Sequence, residues 1–176
     1  MSQNRILLVY AHRNPGESRV NRVLLDAAAT LSNVTVHNLA ARYPDLHIDV
    51  EHEQRLLLEH DTIVLQFPFY WYSTPAILKE WQDAVLAYGF AYGTNGNKLR
   101  GKKLMVATTT GGPAEAYEAG GYNQFTLSEL LRPLQATANL TGMCYERIFV
   151  VSGVRILDEA ALDHAATAYR ARLTAL

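Results

Sequence analysis

A single cysteine, Cys144, leaves the chain without an internal disulfide, which excludes a small fold stapled by such bonds. Flanked by Met143 and Tyr145, it reads as a small buried hydrophobe rather than a reactive thiol. No apolar run approaches the roughly 20 residues that span a bilayer, and residues 1–5 are polar with no leader pattern, so the cytoplasm is the expected location. Strong charge of one sign is also missing. A net charge of −1 gives no electrostatic reason to expect a nucleic-acid partner. Neither G-x-G-x-x-G nor G-x-x-x-x-G-K-[ST] occurs, which argues against a dinucleotide-binding Rossmann fingerprint and a P-loop. His37, His47, His52, His60 and His164 lack compact ligand spacing with cysteine or carboxylate, so no metal site is expected, and His52 and His60 read as positions on an exposed helix.

What is present is an alternation of two periods. The segments 5–11, 34–39, 62–67, 103–109 and 147–153 are short, apolar and rich in β-branched residues. Several stay apolar for four or more residues, the pattern of strands covered on both faces. Segments 18–31, 49–60, 75–88, 124–140 and 158–176 carry apolar residues at helical spacing, with Pro75 suited to a first turn and Pro133 expected to break the fourth helix. Trp81 reads as core or dimer contact, 95–103 as an exposed basic turn, and 43–49 either as a polar loop stopped by Pro44 or as a flap over the sheet edge or a dimer seam. Five β-α units imply one domain over residues 1–176. The expected fold is α/β, a flavodoxin-like doubly wound three-layer sandwich on a five-stranded parallel sheet of order 2-1-3-4-5.

In such a sheet ligands lie beyond the carboxyl ends of the strands, which directs attention to three loops. After strand 1, His12 and the segment Ser18, Arg19, Val20, Asn21 open a helix whose free N–H groups suit a phosphate, although Ser18 also reads as a simple cap and His12 as a solvated loop residue. After strand 3, Pro68 ends the ladder and is followed by Phe69, Tyr70, Trp71 and Tyr72. Their rings and amides fit a planar heteroaromatic ligand or, equally, a dimer interface. After strand 4, Thr109, Thr110, Gly111 and Gly112 let backbone approach a ring carbonyl or nitrogen, with Tyr117 near enough to present its hydroxyl; a plain turn is the alternative. Together, an anion site and two ring-binding surfaces have the layout of a flavin phosphate and isoalloxazine.

The stretches "YAH" (10–12), "SRVNRVLL" (18–25), "YPDLHIDVEHEQ" (43–54), "FPFYWYSTPAILKEWQDAVL" (67–86), "GFAYG" (89–93) and "TTGG" (109–112) resemble the flavodoxin-like NAD(P)H:quinone oxidoreductases, and within them the ancillary subunits of glutathione-regulated potassium-efflux systems. The resemblance implies a flavin phosphate and ribityl chain at His12 and Ser18 to Asn21, and an isoalloxazine lined by Phe69 to Tyr72 with its pyrimidine side at Thr109 to Gly112. Tyr117 would be the catalytic residue, stabilising charge near flavin N1 and O2. The larger enzymes place a histidine six residues later; Asn123 stands there, which removes one acid/base partner. NADPH or NADH and a quinone would use the flavin face in turn, by ping-pong kinetics, in a homodimer. The chain lacks the C-terminal extension of the larger FAD enzymes, so FMN is expected, with FAD open. A second implied role is regulatory, docking on a potassium/proton antiporter at the cytoplasmic face of the inner membrane. A one-electron carrier with an acidic docking face fits the near-neutral charge poorly.

Overall fold

The uninterrupted apolar runs become the middle of a sheet. In a computed structural model describing residues 4–176, β1 (Ile6–Tyr10), β3 (Thr62–Pro68) and β4 (Lys103–Thr109) form its centre, with β2 (Val34–Asn38) on one edge and β5 (Cys144–Tyr145) and β6 (Phe149–Val151) on the other. All pairings are parallel in the order β2-β1-β3-β4-β5, and β6 also pairs with β4. Helices α1 (Arg19–Ala29) and α7 (Glu159–Thr174) cover one face. The other carries α2 (Leu39–Arg42), α3 (Val50–Glu59), α4 (Ala76–Val85), α5 (Leu127–Leu130) and α6 (Arg132–Thr141).

Alternation along each strand divides the core. Ile6, Leu8, Tyr10 and Val64 meet Val20, Leu24, Leu162 and Tyr169 on one side, while Leu7, Val9, Ile63, Leu65 and Phe67 meet Leu57, Leu78, Trp81 and Leu134 on the other. Each such side chain, removed from water, contributes about 1.5–3 kcal/mol before entropy is counted. The three-layer α/β fold and the strand order agree with expectation. Pro133 lies at the start of α6, where the chain breaks from α5 at Leu131.

Four details differ from the sequence reading. Of the expected strand 147–153 only Phe149–Val151 (β6) is a strand, and an unexpected short strand, β5 at Cys144–Tyr145, precedes it, so the sheet has six strands rather than five. The register shifts from Lys103↔Cys144 to Ala107↔Phe149, so the edge carries one extra residue, a bulge. Cys144 is exposed, not buried, because this edge strand alternates Met143 inward and Cys144 outward. His60 is buried at the end of α3, its Nδ1 2.7 Å from the Leu56 carbonyl and its Nε2 2.8 Å from Thr35 Oγ1. Within the basic turn, Leu99 is fully buried and anchors the loop to the core.

Trp81 belongs to the core and is part of a polar knot. The Glu53 carboxylate has no exposed surface; Oε1 accepts from the Tyr43 hydroxyl at 2.6 Å and lies 2.8 Å from His37 Nε2, and Oε2 accepts from Trp81 Nε1 at 2.7 Å. β2, the 43–49 loop, α3 and α4 are thereby tied at one point.

Candidate functional site

The first crossover runs from β1 through α1 to β2, and the chain then returns to β3 on the other side of β1, so a topological switch point falls at β1 and β3. There the loops after β1, β3, β4 and β6 surround a cleft of about 830 Å³. The start of α1 is clamped beside it. Asn21 Nδ2 donates to Thr109 Oγ1 at the end of β4, and Gln66 Nε2 donates to the Asn21 carbonyl while its Oε1 accepts from Tyr169.

Ser18 is the N-cap of α1 by backbone geometry, yet its hydroxyl makes no capping hydrogen bond and no acidic side chain occupies the first turn. The free N–H groups and positive end of the helix dipole are therefore left without a side-chain cap, and the nearest acid lining the cleft is Glu17, just ahead of Ser18. Asn21 is buried, and its Oδ1 has no partner. A buried acceptor left unpaired is uncommon and fits a ligand hydroxyl or N–H. His12, 8% exposed, accepts the Asn14 amide at Nδ1, which puts the neutral ring's proton on Nε2, 3.4 Å from the Tyr70 hydroxyl. Burial lowers its pKa against the opposing charge of Glu17, so the ring is uncharged at neutral pH.

After β3 the chain makes a two-residue hairpin. Tyr70 and Ser73 exchange both backbone hydrogen bonds, and Trp71 and Tyr72 hold φ of 47° and 62°, the signature of a type I′ turn. Positive φ at two adjacent aromatic residues is strained, a condition that clusters at functional sites. The turn leaves Phe69 beneath, edge-on to Tyr72 and Tyr117, and Trp71 92% exposed above.

Opposite stand Gly111 and Gly112. A Cβ on Gly112 would come within 3.3 Å of Tyr117 Cε2 and 2.6 Å of the Tyr122 hydroxyl, so this wall is as thin as a chain can make it. Tyr117 lines the cleft from a short turn over 114–117. Burial first, then the nearby Tyr122 and Tyr72, raise its pKa, while Thr110 and Asn123 oppose them; the hydroxyl stays protonated and can donate.

Of the residues expected at the site, His12, Ser18, Arg19, Val20, Asn21, Phe69, Tyr70, Trp71, Thr109, Gly111, Gly112 and Tyr117 line this one cleft. Two do not. Tyr72 turns away and donates to Asn123 Oδ1 at 3.0 Å, and Thr110 points into the fold, its hydroxyl on the Gly112 carbonyl. Arg19 lines the cleft, but its guanidinium is spent on the Leu157 carbonyl and Glu159. Arg13, Tyr122, Val154 and Arg155 also line it and were missed. Arg155 follows β6, whose loop the strand-end rule would have included.

Among the described residues, no helix is long and apolar enough to cross a membrane, and no three His, Cys, Asp or Glu side chains gather as a metal site would need. A family model described as flavodoxin-like fold matches residues 4–173. The glutathione-regulated potassium-efflux system ancillary protein KefG of Pectobacterium atrosepticum is 51% identical over 165 residues, 94% of this chain and 90% of its own length. An NADPH-quinone reductase structure from P. pentosaceus is 39% identical with a TM-score of 0.88, covering 96% of both chains. General stress protein 14 of Treponema denticola, solved in complex with FMN, is 39% identical with a TM-score of 0.92, covering 97% of this chain and 98% of its own. By matches of this length and identity, the chain belongs to the flavodoxin-like NAD(P)H:quinone oxidoreductase family, in the branch that includes the potassium-efflux ancillary proteins.

Proposed function

We propose that this protein is an FMN-dependent NAD(P)H:quinone oxidoreductase, converting NAD(P)H, a proton and a quinone to NAD(P)⁺ and a hydroquinone. The observation that carries the reading is the convergence of the uncapped α1 N-terminus, the unpaired Asn21 Oδ1, the aromatic hairpin and the Gly111-Gly112 wall on one cleft. Those features fit a flavin mononucleotide from end to end. Ser18 and the first-turn amides of α1 would hold its phosphate, His12 and Asn21 the chain next to it, and Phe69, Tyr70 and Trp71 the ring edge and face. FMN bound there would supply two-electron hydride exchange. The FMN complex of the Treponema relative and the quinone-reductase name of the P. pentosaceus relative support this assignment.

Tyr117 lines the Gly111-Gly112 side of the cleft with its hydroxyl protonated, so it would be the catalytic hydrogen-bond donor to negative charge developing on a bound flavin. Asn123, which stands where the larger enzymes have a histidine, has no titratable nitrogen and would not serve as an acid/base partner. Both substrates need the one open face of the cleft, from which ping-pong kinetics follow. Trp71 and Tyr122, both exposed at the cleft, suit a second copy of the chain closing the site, which makes a homodimer part of the proposal. The location proposed is the cytoplasm.

The KefG relative at 51% identity favours a second reading, in which the protein docks on the cytoplasmic face of a potassium-efflux antiporter and its redox activity is secondary. One assay separates the two. Purified protein is expected to be yellow and to oxidise NADPH with menadione, Tyr117→Phe lowering kcat roughly tenfold, about 1.4 kcal/mol of transition-state stabilisation. Colourless, inactive protein that still raises potassium efflux in vesicles carrying the antiporter would replace the enzyme with the subunit.

A further inference from the structure

On the side of the sheet that faces α1 and α7, β3 presents Val64 and then Gln66, the latter level with Tyr10 of β1 and Ala107 of β4. Gln66 is fully buried in a layer otherwise built from side chains such as Ile6, Leu8, Val64 and Met105. An amide in that place costs free energy unless both its ends are hydrogen-bonded, whereas a valine or leucine would fill the layer without the cost. Both ends are engaged. Oε1 accepts from the Tyr169 hydroxyl of α7 at 3.0 Å, and Nε2 donates to the Asn21 backbone carbonyl in the first turn of α1 at 2.9 Å. We infer that Tyr169 and Gln66 are positioning residues for the cofactor, a buried relay through which α7 and the sheet fix the end of α1 that grips FMN. The inference rests on the FMN reading and deepens it to two residues that do not line the cleft.

Three observations carry it. First, the direction of each bond in the relay is set. A backbone carbonyl can only accept, so Nε2 must face Asn21, which leaves Oε1 for Tyr169. Complete burial pushes the Tyr169 hydroxyl far above its usual range and keeps it a donor, and its ring is held against Phe149 with centroids 4.8 Å apart. Second, the relay ends on a residue already committed to the site. Asn21 Nδ2 is taken by Thr109 Oγ1, while its buried Oδ1 has no partner. Backbone held from beneath and an acceptor left bare are what a pre-formed site for a ligand hydroxyl needs. Third, Ser18 makes no capping hydrogen bond, so the first turn of α1 lacks the local contact that ordinarily fixes a helix start. The relay supplies that support through a carbonyl and so leaves the N–H groups free. Without it the ligand must order the turn as it binds, and affinity falls.

The test is titration of flavin-stripped protein with FMN. Tyr169→Phe keeps the ring and removes the hydroxyl, and Gln66→Met keeps the volume and removes both hydrogen bonds. Each is expected to raise the FMN Kd about fivefold, the value of one net hydrogen bond, and the double variant should bind no more weakly than Gln66→Met alone, because the two residues act through one contact. At a fixed excess of FMN, the gap in melting temperature between wild type and Tyr169→Phe should be wider than without FMN, since a ligand held less tightly stabilises less. Leu173→Val loosens the packing of α7 one turn beyond Tyr169, at a buried position away from the relay, and should leave the Kd unchanged. Effects that add in the double variant, or a Kd raised as much by Leu173→Val as by Tyr169→Phe, would reduce the relay to general packing and overturn the inference. Wild-type affinity in either relay variant would overturn it too, and should Tyr169→Phe not fold, Gln66→Met decides alone. Wild-type protein that binds no FMN overturns the FMN reading and this inference with it.

Discussion

At the scale of single residues, Glu53 shows how a buried charge is made tolerable. Burial is the largest single influence on its carboxyl and pushes the pKa up, but the hydrogen bonds from His37, Tyr43 and Trp81 together hold it below the usual range. The same carboxylate, with burial leading, pushes the Tyr43 hydroxyl up to about 12. Glu53→Gln leaves buried donors underpaired and is expected to cost on the order of 3 kcal/mol in urea unfolding at neutral pH. Because the folded pKa lies below the unfolded value, the ionised carboxylate contributes its full stability above the ordinary glutamate range, near 4.3. That contribution is lost as the pH falls through the lower folded value. The gap between wild type and Glu53→Gln should therefore hold steady down to about pH 5 and narrow below. A gap that widens in acid would contradict the ionised network.

At the scale of elements, the aromatic hairpin and α1 do different work. Helix α1 presents its N-terminus because Asn21 and Gln66 lock it to β3 and β4, leaving Ser18 without a capping duty. The hairpin instead holds Trp71 and Tyr72 in a turn that asparagine and glycine would adopt more readily. Trp71→Asn should stabilise the fold by about 1 kcal/mol in urea unfolding, since the ring is 92% exposed and the strain is relieved, while weakening FMN binding. Loss of stability on that substitution would mean that the turn is not strained. Element boundaries also show what the sequence could and could not reveal. Strands buried on both faces read clearly as apolar runs, and Pro133 marked the break between α5 and α6. The half-covered edge did not, because the bulge between β5 and β6 depends on register with β4, a property of pairing rather than of any local run. The outward turn of Cys144 follows from the same edge.

At the scale of the whole molecule, the strand order places a switch point at β1 and β3, and the cleft follows from it. Twelve of the fourteen residues read from the sequence as site positions line that cleft, because a loop after a central parallel strand has nowhere else to go. The two that miss it obey local rules instead. Thr110 bonds the Val151 backbone and points inward after Thr109 has faced the cleft, and Tyr72 takes the outer place in the hairpin and meets Asn123. Arg155, in the loop after β6, was within reach of the same strand-end rule, whereas Tyr122 was illegible because only tertiary packing brings it to the mouth. The central claim is that this cleft grips one flavin, and the direct measurement is calorimetric titration of flavin-stripped protein with FMN, run beside Ser18→Ala. The account predicts one FMN per chain, with affinity lowered about tenfold or more in the variant, the value of a hydrogen bond to a charged phosphate. Saturation with FMN that produces no binding heat and no change in the flavin spectrum would contradict it.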